Sequence, residues 1–181
     1  MNIILLQQNL TQSGYPCGAI DGRLGPKTYA ALINWIAGRD LGQTATGLGV
    51  AMANEFDKHD IKDVLRLSHF LAQSAFETAG FQRFEESGEA NYRARGVFQI
   101  SGAYSYAAYG IRLGVKLTSS PERLIEPSVS MALACMIWSD RKCNALADAD
   151  DLSAVTKKIA GGTGGLSERQ AYLDRIKSLL E

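Results

Sequence analysis

Apolar positions recur at helical spacing through most of the chain. In "YAALINWIA", Tyr29, Leu32, Ile33 and Ile36 fall on one face of a helix. From Ile4 to about Ala37 the pattern reads as a helix, a turn-rich centre, "YPCGAIDGRLGPKT", and a second helix. Gly18, Gly22 and Gly25 allow tight turns, and Pro26 fits the first position of the second helix, where its missing N–H removes no intrahelical bond. The stretch "RDLGQTATGLG", Arg39 to Gly49, has glycine and threonine without an apolar period and predicts a linker. The expected organisation is a small helical module at 1–40 and a larger domain at 50–181.

Within the larger part, "DIKDVLRLSHFLAQSAFETAGF" predicts a helix with Asp60 as N-cap, Asp63 in the first turn and Gly80 as terminator. Val64, Leu67, Leu71 and Ala75 form its apolar stripe. At about 100° per residue, Glu77 falls beside Phe70 at the stripe's edge, in the last turn. Next, "RARGVFQISGAYSYAAYG" mixes aromatics with Gly96, Gly102 and Gly110 and predicts loop and irregular structure around a groove. "EPSVSMALACMIWS" is apolar on almost every side, with Pro127 near its start, and predicts a buried central helix. An acidic N-cap region, a short helix and a glycine cluster follow in "LADADDLSAVTKKIAGGTGG". "SERQAYLDRIKSLL" then opens on a capping box, Ser167 with Gln170. No strand-like alternation is sustained, so the expected class is mainly α.

Composition narrows the function. The 181 residues suffice for one domain with a sizeable core and a small appended module. Lys+Arg and Asp+Glu are equal at 19 each. A net charge of zero argues against nucleic-acid binding, whose phosphate contacts need a cationic excess. The short apolar run near Met1 follows no basic residue and is broken by glutamines, so it predicts neither a signal peptide nor a membrane span. A cytoplasmic location is expected from that reading. Cys17, Cys135 and Cys143 form no even-numbered framework, and His59 and His69 share no metal-ligand spacing with them. Free thiols in a reduced compartment and no metal are the expectation.

The chemistry concentrates in "FETAGFQRFEE", Phe76 to Glu86. A carboxyl at position 77 would meet the negative end of the helix dipole and apolar neighbours, both of which disfavour ionisation, as a general acid requires. The opposing reading is a solvated helix end. Glu86, on a loop with Gly88 close by, should be more solvated and stay ionised; unequal environments split acid and base roles. Glu85 and Glu89 remain competitors for the second carboxylate. Tyr92, Tyr104, Tyr106 and Tyr109 suit stacking on sugar rings or, equally, a place in the core, while Gln99, Ser101 and Ser105 offer hydrogen bonds to hydroxyls.

Two resemblances follow from these residues. "LQQNLTQSGYPCGAIDGRLGPKTYAALINWIAG" resembles a small three-helix peptidoglycan-binding module, with Asp21, Gly22, Gly25, Pro26 and Thr28 matching its Asp-Gly-x-x-Gly-Pro-x-Thr pattern in order. The remainder resembles family 19 glycoside hydrolases, the chitinase-like helical fold also used by many phage and bacterial lysozymes. The match runs through the helix ending at Glu77, "RARGVFQISGAYSY", "RKCNALADADD" and "VTKKIAGGTGGLSERQAYL".

That resemblance implies Glu77 as general acid and Glu86 as the base that activates water. It further implies Gln99 and Ser101 as residues holding substrate and water, Tyr106 as the loop's terminal tyrosine, and Arg169 as a substrate-side arginine that approaches and tunes the acid. Phe76 stands where the family has histidine, Ser105 and Ala160 where it has asparagines. The implied protein is an inverting endolysin acting, without cofactor and as a monomer, on bacterial peptidoglycan. It would reach the wall through a holin-like pore or a secretion apparatus. A chitinase and a catalytically inactive wall-binding protein are the alternatives.

Overall fold

A computed structural model describes all 181 residues. Nine α-helices follow one another: α1 (Ile3–Gln12), α2 (Pro26–Ala37), α3 (Gln43–Glu55), α4 (Val64–Glu77), α5 (Ala103–Leu113), α6 (Pro127–Asp140), α7 (Cys143–Asp148), α8 (Leu152–Ala160) and α9 (Leu166–Leu180). A 3-10 turn at Pro121–Ile125 precedes α6. No strand forms; two isolated bridges, Glu85 with Arg95 and Arg95 with Ile100, are the only β pairing. The mainly α class is therefore as expected, and no helix is long and apolar enough to cross a membrane.

Pro26 and Pro127 open α2 and α6 at their first turns, as their spacing predicts. α6 runs through the centre with Val129, Met131, Leu133, Ala134, Cys135, Ile137 and Trp138 all buried. α4 packs along α9, and α3 is held between α2 and α6. On α4, Leu67 through Ala75 are buried without a break, which leaves its last turn at the boundary of the core.

The expected linker is instead α3, which buries Ala45, Leu48, Ala51 and Met52. Its glycines, each costing a helix about 1 kcal/mol relative to alanine, hid it from the periodicity. Packing explains both. A Cβ on Gly49 would lie 2.3 Å from the Pro26 carbonyl oxygen, and one on Gly47 would lie 2.9 Å from Pro127 Cγ. The helices approach too closely for any larger residue, and the burial this allows outweighs local propensity. Residues 1–40 consequently share one hydrophobic cluster with the rest of the chain, from Leu6 and Leu10 on α1 to Leu173, Ile176 and Leu180 on α9.

The Asp-Gly-x-x-Gly-Pro-x-Thr motif has a structural account. Gln7, 1% exposed, inserts its amide into the turn. Its Oε1 accepts from the N–H groups of Asp21 (3.0 Å) and Gly22 (2.9 Å), and its Nε2 lies 3.0 to 3.2 Å from Asp21 Oδ1, Thr28 Oγ1 and the Arg23 carbonyl. The bond from Gln7 holds the Asp21 carboxyl below its ordinary range. A Gln7→Leu substitution strands these groups without partners and should cost about 3 kcal/mol, read as a lower urea midpoint at unchanged m-value.

Three local expectations are corrected. Asp63 caps α4 by accepting from the Arg66 N–H (2.9 Å), because its backbone is extended; Asp60 lies in the left-handed region at φ 54° and contacts the Arg66 side chain instead. Gly165 precedes α9, so Ser167 lies inside the helix and Gln170 donates to Asp174 (2.7 Å), with no capping box. Residues 103–110, expected to be irregular, lie in α5: Gly102 at φ 89° turns the chain into the helix, Gly114 at φ 66° ends it, and Tyr106 and Gly110 are its buried positions. All three cysteines are free and buried, and burial pushes the Cys143 thiol up to about 11.

Candidate active site

Two arms of the chain form the site. The first is the end of α4 and the reversal after it. Thr78, fully buried, donates from Oγ1 to the Ser74 carbonyl (2.6 Å) and accepts there from the Phe81 N–H (2.9 Å). Its carbonyl accepts from Gln82 (3.0 Å) and Arg83 (2.8 Å). These bonds hold Ala79, Gly80 and Phe81 in three successive left-handed conformations, φ 51°, 72° and 61°. The two that are not glycine cost about 1–2 kcal/mol each. Burying the Phe81 ring completely returns about 1.5–3 kcal/mol, so the reversal is close to balanced.

The second arm is an extended stretch, 84–86, lying beside 94–96. The Glu86 N–H donates to the Ala94 carbonyl (2.8 Å), and the Gly96 N–H donates to the Phe84 carbonyl (2.8 Å). The Ala94 N–H donates back to Glu86 Oε2 (3.2 Å). Gln99 follows at φ 48°, its backbone N–H and its Nε2 both donating to the Gly96 carbonyl (3.2 and 2.8 Å). A non-glycine residue in that region is uncommon and points to a positional demand.

The arms enclose an open cleft of about 540 Å³ lined by Phe76, Glu77, Arg83, Glu86, Ser87, Ala94 and Gln99. Glu77, Glu86 and Gln99, separated by up to 22 positions, thus share one cavity. Ser101 is exposed on the bend beyond Gln99 and is not among the lining residues. Glu89 is exposed on the turn after Glu86 and is likewise outside the lining.

Glu77 is partly buried in the last turn of α4, and a cation stands among the apolar neighbours expected there. Its side chain is 17% exposed, and Arg169, 2% exposed, donates from Nη2 to Glu77 Oε1 (2.5 Å). Arg169 also bonds Gln73 Oε1 through Nη1 and the Gly164 carbonyl through Nε (3.2 Å), and its guanidinium lies 4.0 Å over the Phe76 ring. Gln73 in turn donates to Thr156 Oγ1 (2.9 Å). Phe76 is backed by Gly165, where a Cβ would come within 2.1 Å of the ring. Arg169 is thus a positioning residue for Glu77, too enclosed to hold substrate.

Tyr106 is corrected on the same ground. It is fully buried, donating to the Arg93 carbonyl (2.7 Å) and accepting from Arg95 (3.1 Å), so no ring face is available to a sugar. Tyr92 packs edge-on against it, while Tyr104 is 86% exposed. Gln73 escaped the sequence analysis although a signal existed: it lies four residues before Glu77, on the same helix face. The roles of Phe76, Thr78 and Gly165 depend on chain reversals that periodicity does not carry.

No family model matches the chain. A glycosyl hydrolase family 19 domain-containing protein of Haemophilus influenzae is 35% identical over 86 residues, which is 47% of this chain and 41% of that protein. Among solved structures, chitinase C of Streptomyces griseus superposes with a TM-score of 0.70 at 19% identity, covering 88% of this chain and 95% of the chitinase. A class IV family 19 chitinase of Zea mays gives 0.68 at 17% identity, with 83% and 91% covered. The fold is that of the family 19 chitinases.

Proposed function

We propose that the chain is a family 19-type glycoside hydrolase that cleaves peptidoglycan at the β-1,4 bond between N-acetylmuramic acid and N-acetylglucosamine. The observation that carries this reading is the pair of carboxylates on opposite arms of one open cleft, each held differently. Glu77 is oriented by a buried guanidinium, whereas Glu86 is exposed and receives one backbone N–H. In an inverting hydrolysis, Glu77 gives its proton to the departing glycosidic oxygen as the C1–O bond breaks. Glu86 takes a proton from the water that attacks C1 from the other face. Gln99, whose amide nitrogen is committed to Gly96, turns its oxygen to that water or to a substrate hydroxyl. No cofactor enters this scheme.

The peptidoglycan assignment is supported by the motif resemblance of residues 1–40, and the role follows as an endolysin released to the wall through a holin-like pore or secretion apparatus. A second reading, hydrolysis of chitin, is favoured by the likeness to solved chitinases. Reducing-end release from purified peptidoglycan and from colloidal chitin separates them. New reducing N-acetylmuramic acid ends support the first reading, and products from chitin alone support the second. Sedimentation with walls without any release would replace both with a binding protein.

A further inference from the structure

Glu85 sits beside the proposed base, yet its carboxylate is spoken for. Oε1 accepts a hydrogen bond from Arg95 Nε (2.6 Å) and forms an ion pair with Arg93 Nη2 (2.6 Å). Arg95 is 4% exposed, and its Nη1 donates to the Asn91 carbonyl (2.7 Å) and to the Tyr106 hydroxyl (3.1 Å). Tyr106 closes the circuit by donating to the Arg93 carbonyl (2.7 Å). Glu85, Asn91, Arg93 and Arg95 lie on the segment that runs from one side of the loop to its return at 94–96, and Tyr106 lies on α5 behind it. The backbone between the two sides is held by few bonds, and one of them is the Glu86 N–H to Ala94. Two guanidiniums therefore converge on a single carboxylate oxygen immediately before the residue whose placement matters most.

We infer that Glu85 is a positioning residue: its carboxylate, through Arg93 and Arg95, locks the loop that carries Glu86 so that the Glu86 carboxylate faces Glu77 across the cleft. The inference rests on the hydrolase reading for its catalytic consequence, but not for its structural one. Removing the carboxylate leaves Arg95 buried without an anionic partner, and the loop must shift to hydrate it. Displacement of a catalytic group by about 1 Å is enough to cost on the order of 10²-fold in rate.

The test compares Glu85→Gln and Glu85→Ala with the parent by amide hydrogen exchange and by kinetics on the polymer that the parent cleaves. Exchange at the Glu86 and Ala94 amides should accelerate at least about tenfold while amides in α4 and α6 keep their protection. In folded protein, kcat should fall about 10²-fold with KM within about threefold. Added azide, a small anion that attacks C1 in place of base-activated water, should not restore the Glu85→Ala variant, because its base is present but misplaced.

Parental exchange at Glu86 and Ala94, or parental kcat in folded Glu85→Gln, overturns the inference. Azide rescue of Glu85→Ala also overturns it, by making Glu85 the base itself. A parent that cleaves neither polymer removes the hydrolase reading, and the exchange result then decides the loop-locking role alone. If Glu85→Ala does not fold, Glu85→Gln, which keeps the shape and one acceptor oxygen, carries the comparison.

Discussion

Replacing Glu77 with Gln should abolish polymer cleavage, with kcat at least about 10³-fold down, while the helical fold persists. General acid catalysis contributes about 10²–10⁴-fold, and an amide cannot deliver the proton that the departing oxygen needs. The substitution keeps size and keeps an oxygen opposite Arg169. The guanidinium also retains Gln73, the Gly164 carbonyl and the Phe76 ring. A stability loss of about 1–3 kcal/mol is expected from the missing charge. Reducing-end assays beside circular dichroism of the same preparation check both halves. An active Glu77→Gln protein would sink the acid assignment.

The second large effect is expected from Arg169→Met. Methionine fills part of the space but has no donor. Glu77 Oε1, Gln73 Oε1 and the Gly164 carbonyl all lose their partner, and the stack on Phe76 goes with them. Breaking an enclosed ion pair from one side costs about 3–5 kcal/mol, and the freed carboxyl should swing from the cleft, lowering kcat by about 10²-fold or more. Arg169→Lys should recover little of either. An ammonium on a flexible stem cannot reproduce the planar fork that meets three acceptors and stacks on a ring. Urea unfolding gives the stability term, and kcat measured on the folded fraction gives the other; parental values for Arg169→Lys would refute the argument from fork geometry.

The parts of this molecule legible in its sequence are those governed by a single period or a single motif. The stripe on α4, the all-round apolar α6 and the two helix-opening prolines required only local geometry. Glu77, Glu86 and Gln99, chosen from motif resemblance, lie in one cleft. Where tertiary contact decides, local sequence does not carry the signal. α3 looked like a linker because Gly47 and Gly49 answer to Pro127 and Pro26, neither of them nearby in sequence. Asp60 and Asp63 are chemically equal as caps, and only the backbone angle separates them. Tyr106 has a sugar-stacking side chain by type, but its hydroxyl's two partners turn it inward. Glu85 and Glu86 are adjacent and identical, and the arginines that claim the first lie eight and ten residues away.

The continuous core has a consequence for how this protein could be rearranged. A segment that folds as an independent unit has a hydrophobic core of its own, yet here α1 and α2 supply Leu6, Leu10, Leu32, Ile33 and Ile36 to the same cluster as Leu173 and Ile176. The Gln7 amide, moreover, is spent holding the motif's own turn. Cutting at residue 40 would divide one core rather than separate two. It would produce two fragments with complementary open faces, better suited to reassociating with each other than to serving a new host chain.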